Sequence, residues 1–409
     1  MNSKDKEIVR ELAARYMEAA CSEEQKKMNE RFKATNDLKI VRPPVLIDEI
    51  PWHQMDIDGE LKCLSEDKNV RRVELELRKR LYRVKYFKAD RLFDPFWRLV
   101  ISTKDTGMGV DYNETEIIYS EGKGTIASHT YEDVLEDESV LEKMHVPEFF
   151  VDHEKTDRDM EFMTELLGDA MPVKKVGFQY IYSMPWDRIT RYRGVEPIMF
   201  DMYDRPEYLH KIIKLFTDAV KAQLDFAEEN LPITPDLINM HCTPAAVSGL
   251  AESGLKATWY RGGAQSFGVV SPEMFKEFEL DYIKPLAERF AYTYYGCCEP
   301  LDNKIQMLKE IPNLRKLGVS PWADVNVCGE QIGGDYVFAR KPNPALVAIK
   351  TDPDEVRKET VKAVEACMRY GCPAEFVLKD ISTVTHRPEN LIVWASTVSD
   401  VLDEYYGKA

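Results

Sequence analysis

The chain has 409 residues, 44% hydrophobic and 31% charged, the balance of a globular enzyme with a sizeable core. No run of about 18 apolar residues occurs, which excludes a membrane-spanning helix. A formal net charge of −16, spread along the chain, argues against nucleic acid, where a basic stripe would carry the affinity.

The polar start, Met1 through Glu7, lacks the apolar core of a secretion signal, so the expected location is the cytoplasm. Eight cysteines in such a chain read as buried thiols or metal ligands, not as a disulfide framework. Residues 4–33 carry Ile8, Leu12, Ala13, Tyr16 and Met17 at helical spacing. A strand is predicted over Ile40–Ile50, interrupted by Pro43-Pro44, and a second long helix over 69–88. Residues 1–90 are therefore assigned to an N-terminal helical extension packed on a main body of 91–409. From 91 to 175 the pattern is irregular, with a turn-rich stretch at 104–114, an acidic one at 131–143 and one helix at 155–167. It fits short strands and loops, with an insertion near 100–170.

After residue 170 the rhythm is regular. Strands are predicted at 174–182, 236–241, 291–296, 314–319, 335–339, 346–349 and 375–379, alternating with helices near 206–230, 272–289, 301–310, 353–370 and 388–405. Asp352-Pro353 marks a helix start and Gly371 a helix end. The alternation implies a parallel α/β sheet, and the number of units favours a closed (β/α)8 TIM barrel. In such a barrel, residues just after the strands gather on one face and form the site.

That rule singles out four segments: His241-Cys242, Tyr294 to Glu299, Ser320 to Asp324, and Lys379-Asp380. His241, Cys242, Cys297, Cys298, Glu299 and Asp380 supply the imidazole, thiolate and carboxylate groups that zinc takes. A plainer reading stays open for each: Cys297-Cys298 as small buried packing, His241 as a hydrogen-bonded structural residue, Asp380 as a cap. Trp186-Asp187-Arg188, Arg191-Tyr192-Arg193 and Trp259-Tyr260-Arg261 put aromatics beside arginine, which suits a flat or anionic ligand. Trp186 and Trp259 as core, and Arg193 paired with Glu196, fit equally. No P-loop, dinucleotide fingerprint or nucleophile-elbow motif is present.

At these residues the chain resembles the uroporphyrinogen-decarboxylase-like superfamily over roughly residues 170 to 405. The resemblance rests on the block Pro185 to His210, on Ser271 to Phe275, on Tyr295 to Glu299, and on Lys379 to Leu391. It implies a (β/α)8 barrel and one of two chemistries: porphyrinogen decarboxylation, or zinc-dependent methyl transfer between a small substrate and a corrinoid carried by a separate protein. The methyltransferase branch has a His-x-Cys pair after one strand and a cysteine after the last. Here Tyr295-Gly296-Cys297, or the register one residue later that brings in Cys298, aligns with the pair; either way its histidine is missing, and the late cysteine falls on Asp380.

The resemblance implies a substrate:corrinoid-protein methyltransferase of the O-demethylase type. A metal bound by His241, Cys297, Cys298, Glu299 and Asp380 is expected to act on a small methyl donor, a methoxy-aromatic or methylamine. Glu299 and Asp380 are the expected catalytic carboxylates. Trp186, Tyr260, Arg261, Tyr294, Tyr295 and Trp322 are the expected substrate walls, with Arg191, Arg193 or Arg261 available for a substrate carboxylate. The alternatives are decarboxylation of the uroporphyrinogen type and a non-catalytic barrel that binds a tetrapyrrole or other small ligand. No arginine-rich start of the decarboxylase kind is found.

Overall fold

The computed structural model describes the chain except residues 1, 118–127, 179–182, 237 and 408–409. Two helices, α1 (Ser3–Ala20) and α2 (Glu23–Asn36), stand where one was predicted, because Ser22 caps the second by accepting from Gln25 N at 3.1 Å. Then come β1 (Val45–Ile47) and α3 (Lys68–Tyr86), whose first turn Asp67 caps. The irregular region holds β2 (Trp97–Val100), β3 (Thr103–Asp105), β4 (Glu114–Ile117), β5 (Ser128–Tyr131), β6 (Phe149–Val151) and α4 (His153–Leu167).

The regular part begins with β7 (Val173–Val176), α5 (Pro185–Arg193), α6 (Val195–Asp204) and α7 (Pro206–Asn230). It continues through β8 (Asn239–Met240), β9 (Thr243–Pro244), β10 (Trp259–Gly262), α8 (Pro272–Phe275), α9 (Asp281–Ala287) and β11 (Tyr292–Tyr295). It closes with α10 (Ile305–Leu308), β12 (Leu314–Val319), α11 (Val325–Ile332), β13 (Val337–Arg340), α12 (Pro353–Tyr370), β14 (Ala374–Leu378) and α13 (Glu389–Tyr406). Residues 179–182 of the predicted strand at 174–182 and residue 237 of that at 236–241 lie outside the described residues.

Six strands pair in parallel in the order β1-β14-β13-β12-β11-β10, and β2 pairs in parallel with β7. Among the described residues no ladder joins these two groups, so the hydrogen-bonded sheet is an open parallel α/β sheet and not a closed ring. β1 lies within the stretch assigned to the helical extension, yet it is a strand of the main sheet through its register with Phe376 to Leu378. The helical part of the extension makes its own small core. Val9, Leu12, Ala13 and Tyr16 of α1 meet Val70, Val73 and Leu77 of α3 and Leu166 and Leu167 of α4. Each valine and leucine among them contributes about 1.5–3 kcal/mol when fully buried.

Two predicted elements differ. Residues 346–349 are not a strand: Pro344–Val347 is a single tight turn, since Pro342 and Pro344 have no amide hydrogen for a ladder. Trp259–Gly262, expected from sequence to carry ligand-facing residues and not predicted as a strand, is the fully buried strand β10. Its continuous burial removes the alternation that marks a half-exposed strand. Between α8 and α9 the chain widens into one π turn, Lys276–Leu280. The Phe278 carbonyl there accepts the indole N–H of Trp186 at 2.9 Å.

Candidate metal centre

The carboxyl ends of β1, β8, β11 and β14 converge. The tip of β1 is held by Asp48 N, which donates to the Leu378 carbonyl at 2.8 Å. Beyond each of three strands a non-glycine residue takes the left-handed conformation: Glu49 (φ 50°), Cys242 (φ 55°) and Asp380 (φ 57°). That conformation is unfavourable for L-residues and collects where side chains must be aimed. On β11 the turn is made by Gly296 (φ 123°), where a Cβ would lie 3.0 Å from both Gly318 Cα and Leu301 Cδ1. This turn delivers Cys297 and Cys298.

Two donor groups result, and Glu49 links them. Donor atoms of Glu49, His241 and Cys242 lie within 4.8 Å of one another. His241 Nε2 is 3.4 Å from Glu49 Oε1. Burial, with the cations Arg261 and Lys379 nearby, pushes the His241 imidazole down to about 4, so near neutral pH it is uncharged with a lone pair to give. Cys242 is 1% exposed, and burial holds its thiol above the ordinary range.

In the second group the Cys297 and Cys298 sulfurs are 3.6 Å apart, and Cys298 Sγ lies 3.1 Å from Asp380 Oδ2. Lys379 Nζ lies 3.3 Å from Cys297 Sγ and 3.2 Å from Asp380 Oδ1. The hydrogen bond from Cys298, then Lys379 and Arg261, bring Cys297 down to about 4 against the effect of burial. Cys297 is thus the thiolate of the pair and Cys298 the thiol.

Not every expected ligand faces this cluster. Glu299 is buried, and its two oxygens accept from Ala264 N at 3.3 Å and Cys297 N at 3.0 Å, so it braces the loop behind the thiolate. Burial and the Cys297 charge raise it to about 7. Arg261 lies beside the thiolate, with its guanidinium 5.6 Å from the Tyr294 ring centre and Nη1 at 2.8 Å from Met184 Sδ.

The expected aromatic walls divide. Trp186, Tyr260 and Tyr295 are core: each is fully buried, with its polar atom on Phe278, Ser183 and Glu279 respectively. Trp322 is 70% exposed on the loop after β12. Arg193 pairs with Asp201 and Asp133, not Glu196. Arg191 reaches Tyr112 Oη at 3.4 Å. Sequence reasoning left Glu49 out of the site and singled out the Lys379-Asp380 segment without giving Lys379 a role. Glu49 sat in a stretch read as strand, and its only signal was its place just after an apolar run ending in Ile47.

Comparison with known proteins places the fold. No family model and no curated protein matches the chain. A solved methyltransferase from Methanosarcina mazei shares its architecture, with a TM-score of 0.53 over 93% of this chain and 99% of that one. The two are 16% identical, so the likeness is one of fold. No described helix is long and apolar enough to cross a membrane.

Proposed function

We propose that the protein is a metal-dependent methyltransferase that moves a methyl group from a small methylated donor to a corrinoid held by a separate protein. We read the open sheet as the larger part of a (β/α)8 barrel with its site at the carboxyl ends. The observation that carries the reading is the convergence of Glu49, His241 and Cys242 with Cys297, Cys298 and Asp380 at that face. The shared fold with a methyltransferase supports it.

A neutral imidazole, thiols and carboxylates within reach of one another form a donor set suited to zinc. Glu49, His241 and Cys242 would hold the ion, with Cys298 and Asp380 alongside. Bound zinc would supply a Lewis acid toward the heteroatom that carries the methyl group. The chain's own residues set the conditions. The Cys298 hydrogen bond, Lys379 and Arg261 keep Cys297 ionised. Glu299 holds the loop in register through two amides. Val269, Trp322 and Ile349 are exposed on segments that follow β10, β12 and β13, which favours a protein partner at the carboxyl end of the sheet.

Elemental analysis of protein purified without chelator tests the reading. About one zinc per chain, lost in His241→Ala, together with methyl transfer from methoxy-aromatics or methylamines to a cobalt(I) corrinoid, is expected. Protein that neither contains nor takes up zinc would refute it.

A further inference from the structure

The chain leaves β11 at Tyr295, turns at Gly296 (φ 123°) and delivers two neighbouring thiols, Cys297 and Cys298. Neighbours in an extended strand point to opposite faces, so adjacent cysteines on a continued β11 could not meet. Beyond the turn they do meet, with the two sulfurs 3.6 Å apart. We propose that Cys297 and Cys298 are a modification site for hydroperoxides, which convert the pair to a reversible vicinal disulfide.

The surroundings suit that chemistry. Cys298 is half-buried and gives the pair a side open to solvent, while Cys297 lies behind it at 3% exposure. The loop is braced from both ends of the turn. Gly296 N donates to the Gly262 carbonyl at 3.0 Å, and Cys297 N to Glu299 Oε2 at 3.0 Å. Little further ordering is then needed to bring the sulfurs together. Lys379 Nζ, 3.3 Å from Cys297 Sγ, puts a positive charge where a thiolate nucleophile needs one. The other buried thiols are packed away from solvent: Cys242 is 1% exposed beside Met28 and Phe32, and Cys328, Cys367 and Cys372 sit in the main core.

The step balances with the peroxide as the only oxidant. The Cys297 thiolate attacks one peroxide oxygen and the O–O bond breaks. The leaving oxygen takes a proton from water, and Cys297 becomes a sulfenic acid. The Cys298 sulfur attacks that sulfur and the S–O bond breaks. Its proton leaves with the hydroxyl group as water, and two electrons have passed from the sulfur pair to the peroxide.

Adjacency makes the product easy to reverse. Neighbouring α-carbons lie about 3.8 Å apart across a trans peptide, inside the range of about 4.4–6.8 Å that relaxed disulfides span. The ring is therefore strained, and strained disulfides are the ones that thiols reopen. Its closure draws on the sulfur that lies 3.1 Å from Asp380 Oδ2 and removes the charge beside Lys379, so the oxidation state of the pair reaches Asp380 directly. Any effect on catalysis rests on the methyltransferase reading; formation of the disulfide does not.

Peptide mass mapping of the full-length protein is the test. The protein is reduced, freed of reductant and treated with equimolar hydrogen peroxide before thiol alkylation. The peptide that holds Cys297 and Cys298 is expected to lose two hydrogens and both alkylation sites, and to regain them after dithiothreitol. In Cys298→Ser, Cys297 has no neighbour to complete the step, so dimedone is expected to trap its sulfenic acid. A wild-type peptide that stays alkylated at both cysteines, that only gains oxygen, or that links to Cys242 instead would overturn the proposal. A protein that closes the disulfide yet transfers no methyl group would support this proposal while refuting the methyltransferase reading.

Discussion

The amide of Asp380 donates to Glu49 Oε2 at 2.8 Å across a separation of 331 residues, and both residues are left-handed. This bond ties the tip of the edge strand β1 to the tip of β14. It lets one carboxylate face His241 through Oε1 while Oε2 anchors the last strand. The backbone strain at Glu49 and Asp380 is the cost of pointing both side chains at the same space.

That strain is measurable. Glu49→Ala and Glu49→Gly lose the same carboxylate, so their difference isolates the backbone. Glycine avoids the left-handed penalty of about 1–2 kcal/mol but loses about 0.5–1 kcal/mol through its freer unfolded chain. Denaturant unfolding should find the glycine variant more stable by roughly 0.5–1 kcal/mol. An alanine variant equal to or better than glycine would show that the position is unstrained.

Glu49 and Glu299 should differ as metal ligands. Glu299 has both oxygens on backbone amides, whereas Glu49 stands within reach of His241 and Cys242. Glu49→Gln should lower zinc content at equal free metal, and Glu299→Gln should leave zinc bound while loosening the loop at Cys297. The reverse order, read by elemental analysis, would move the centre toward Glu299.

Inside the sheet, Lys316 of β12 and Glu375 of β14 are both fully buried and 2.7 Å apart. Replacing one partner strands the other charge. Glu375→Leu should cost roughly 3–5 kcal/mol, and the double variant Lys316→Met, Glu375→Leu should recover most of it. A double variant as unstable as the single one would mean that the Lys316 bonds to Thr243 and Pro244, or the buried Lys341 at 3.9 Å from Glu375, matter more than the Lys316–Glu375 pair.

Glu279 sets a pH dependence. Burial raises its carboxyl well above the usual 4.5, with Asp187 and Glu299 adding to the shift and the hydrogen bond from Tyr295 opposing it. The folded state therefore holds a proton that the unfolded state releases. The stability this group contributes is full below about 4.5 and is lost as pH rises through the raised folded-state value. Glu279→Gln should keep the acid-side stability and flatten the decline; an unchanged pH profile of Tm would exclude Glu279 as its source.

The tryptophans separate core from surface. Trp186→Ala should destabilise by about 3–5 kcal/mol, since a fully buried indole and its bond to Phe278 are lost. Trp322→Ala, on an exposed loop, should change stability by less than about 0.5 kcal/mol. If Trp322 serves a docked partner, its loss will instead appear as slower methyl transfer to that protein.

Local rules made much of the chain readable. Asp352, Pro353 and Gly371 bound α12 as expected, since caps and proline act within a few residues. Apolar runs followed by polar or thiol residues marked β8, β11, β12 and β14, so His241, Cys297, Cys298 and Asp380 could be picked as strand-end residues from sequence alone. The tertiary structure decided which of them meet. Glu49 joins His241 only because β1 pairs with β14, a contact across more than 300 residues that no periodicity encodes. Trp186, Tyr260 and Tyr295 showed the reverse limit: an aromatic beside an arginine looks the same in sequence whether it faces a ligand or the core. Packing against α7, the π turn and Glu279 placed them inside, because side-chain direction is fixed by neighbouring elements and not by composition.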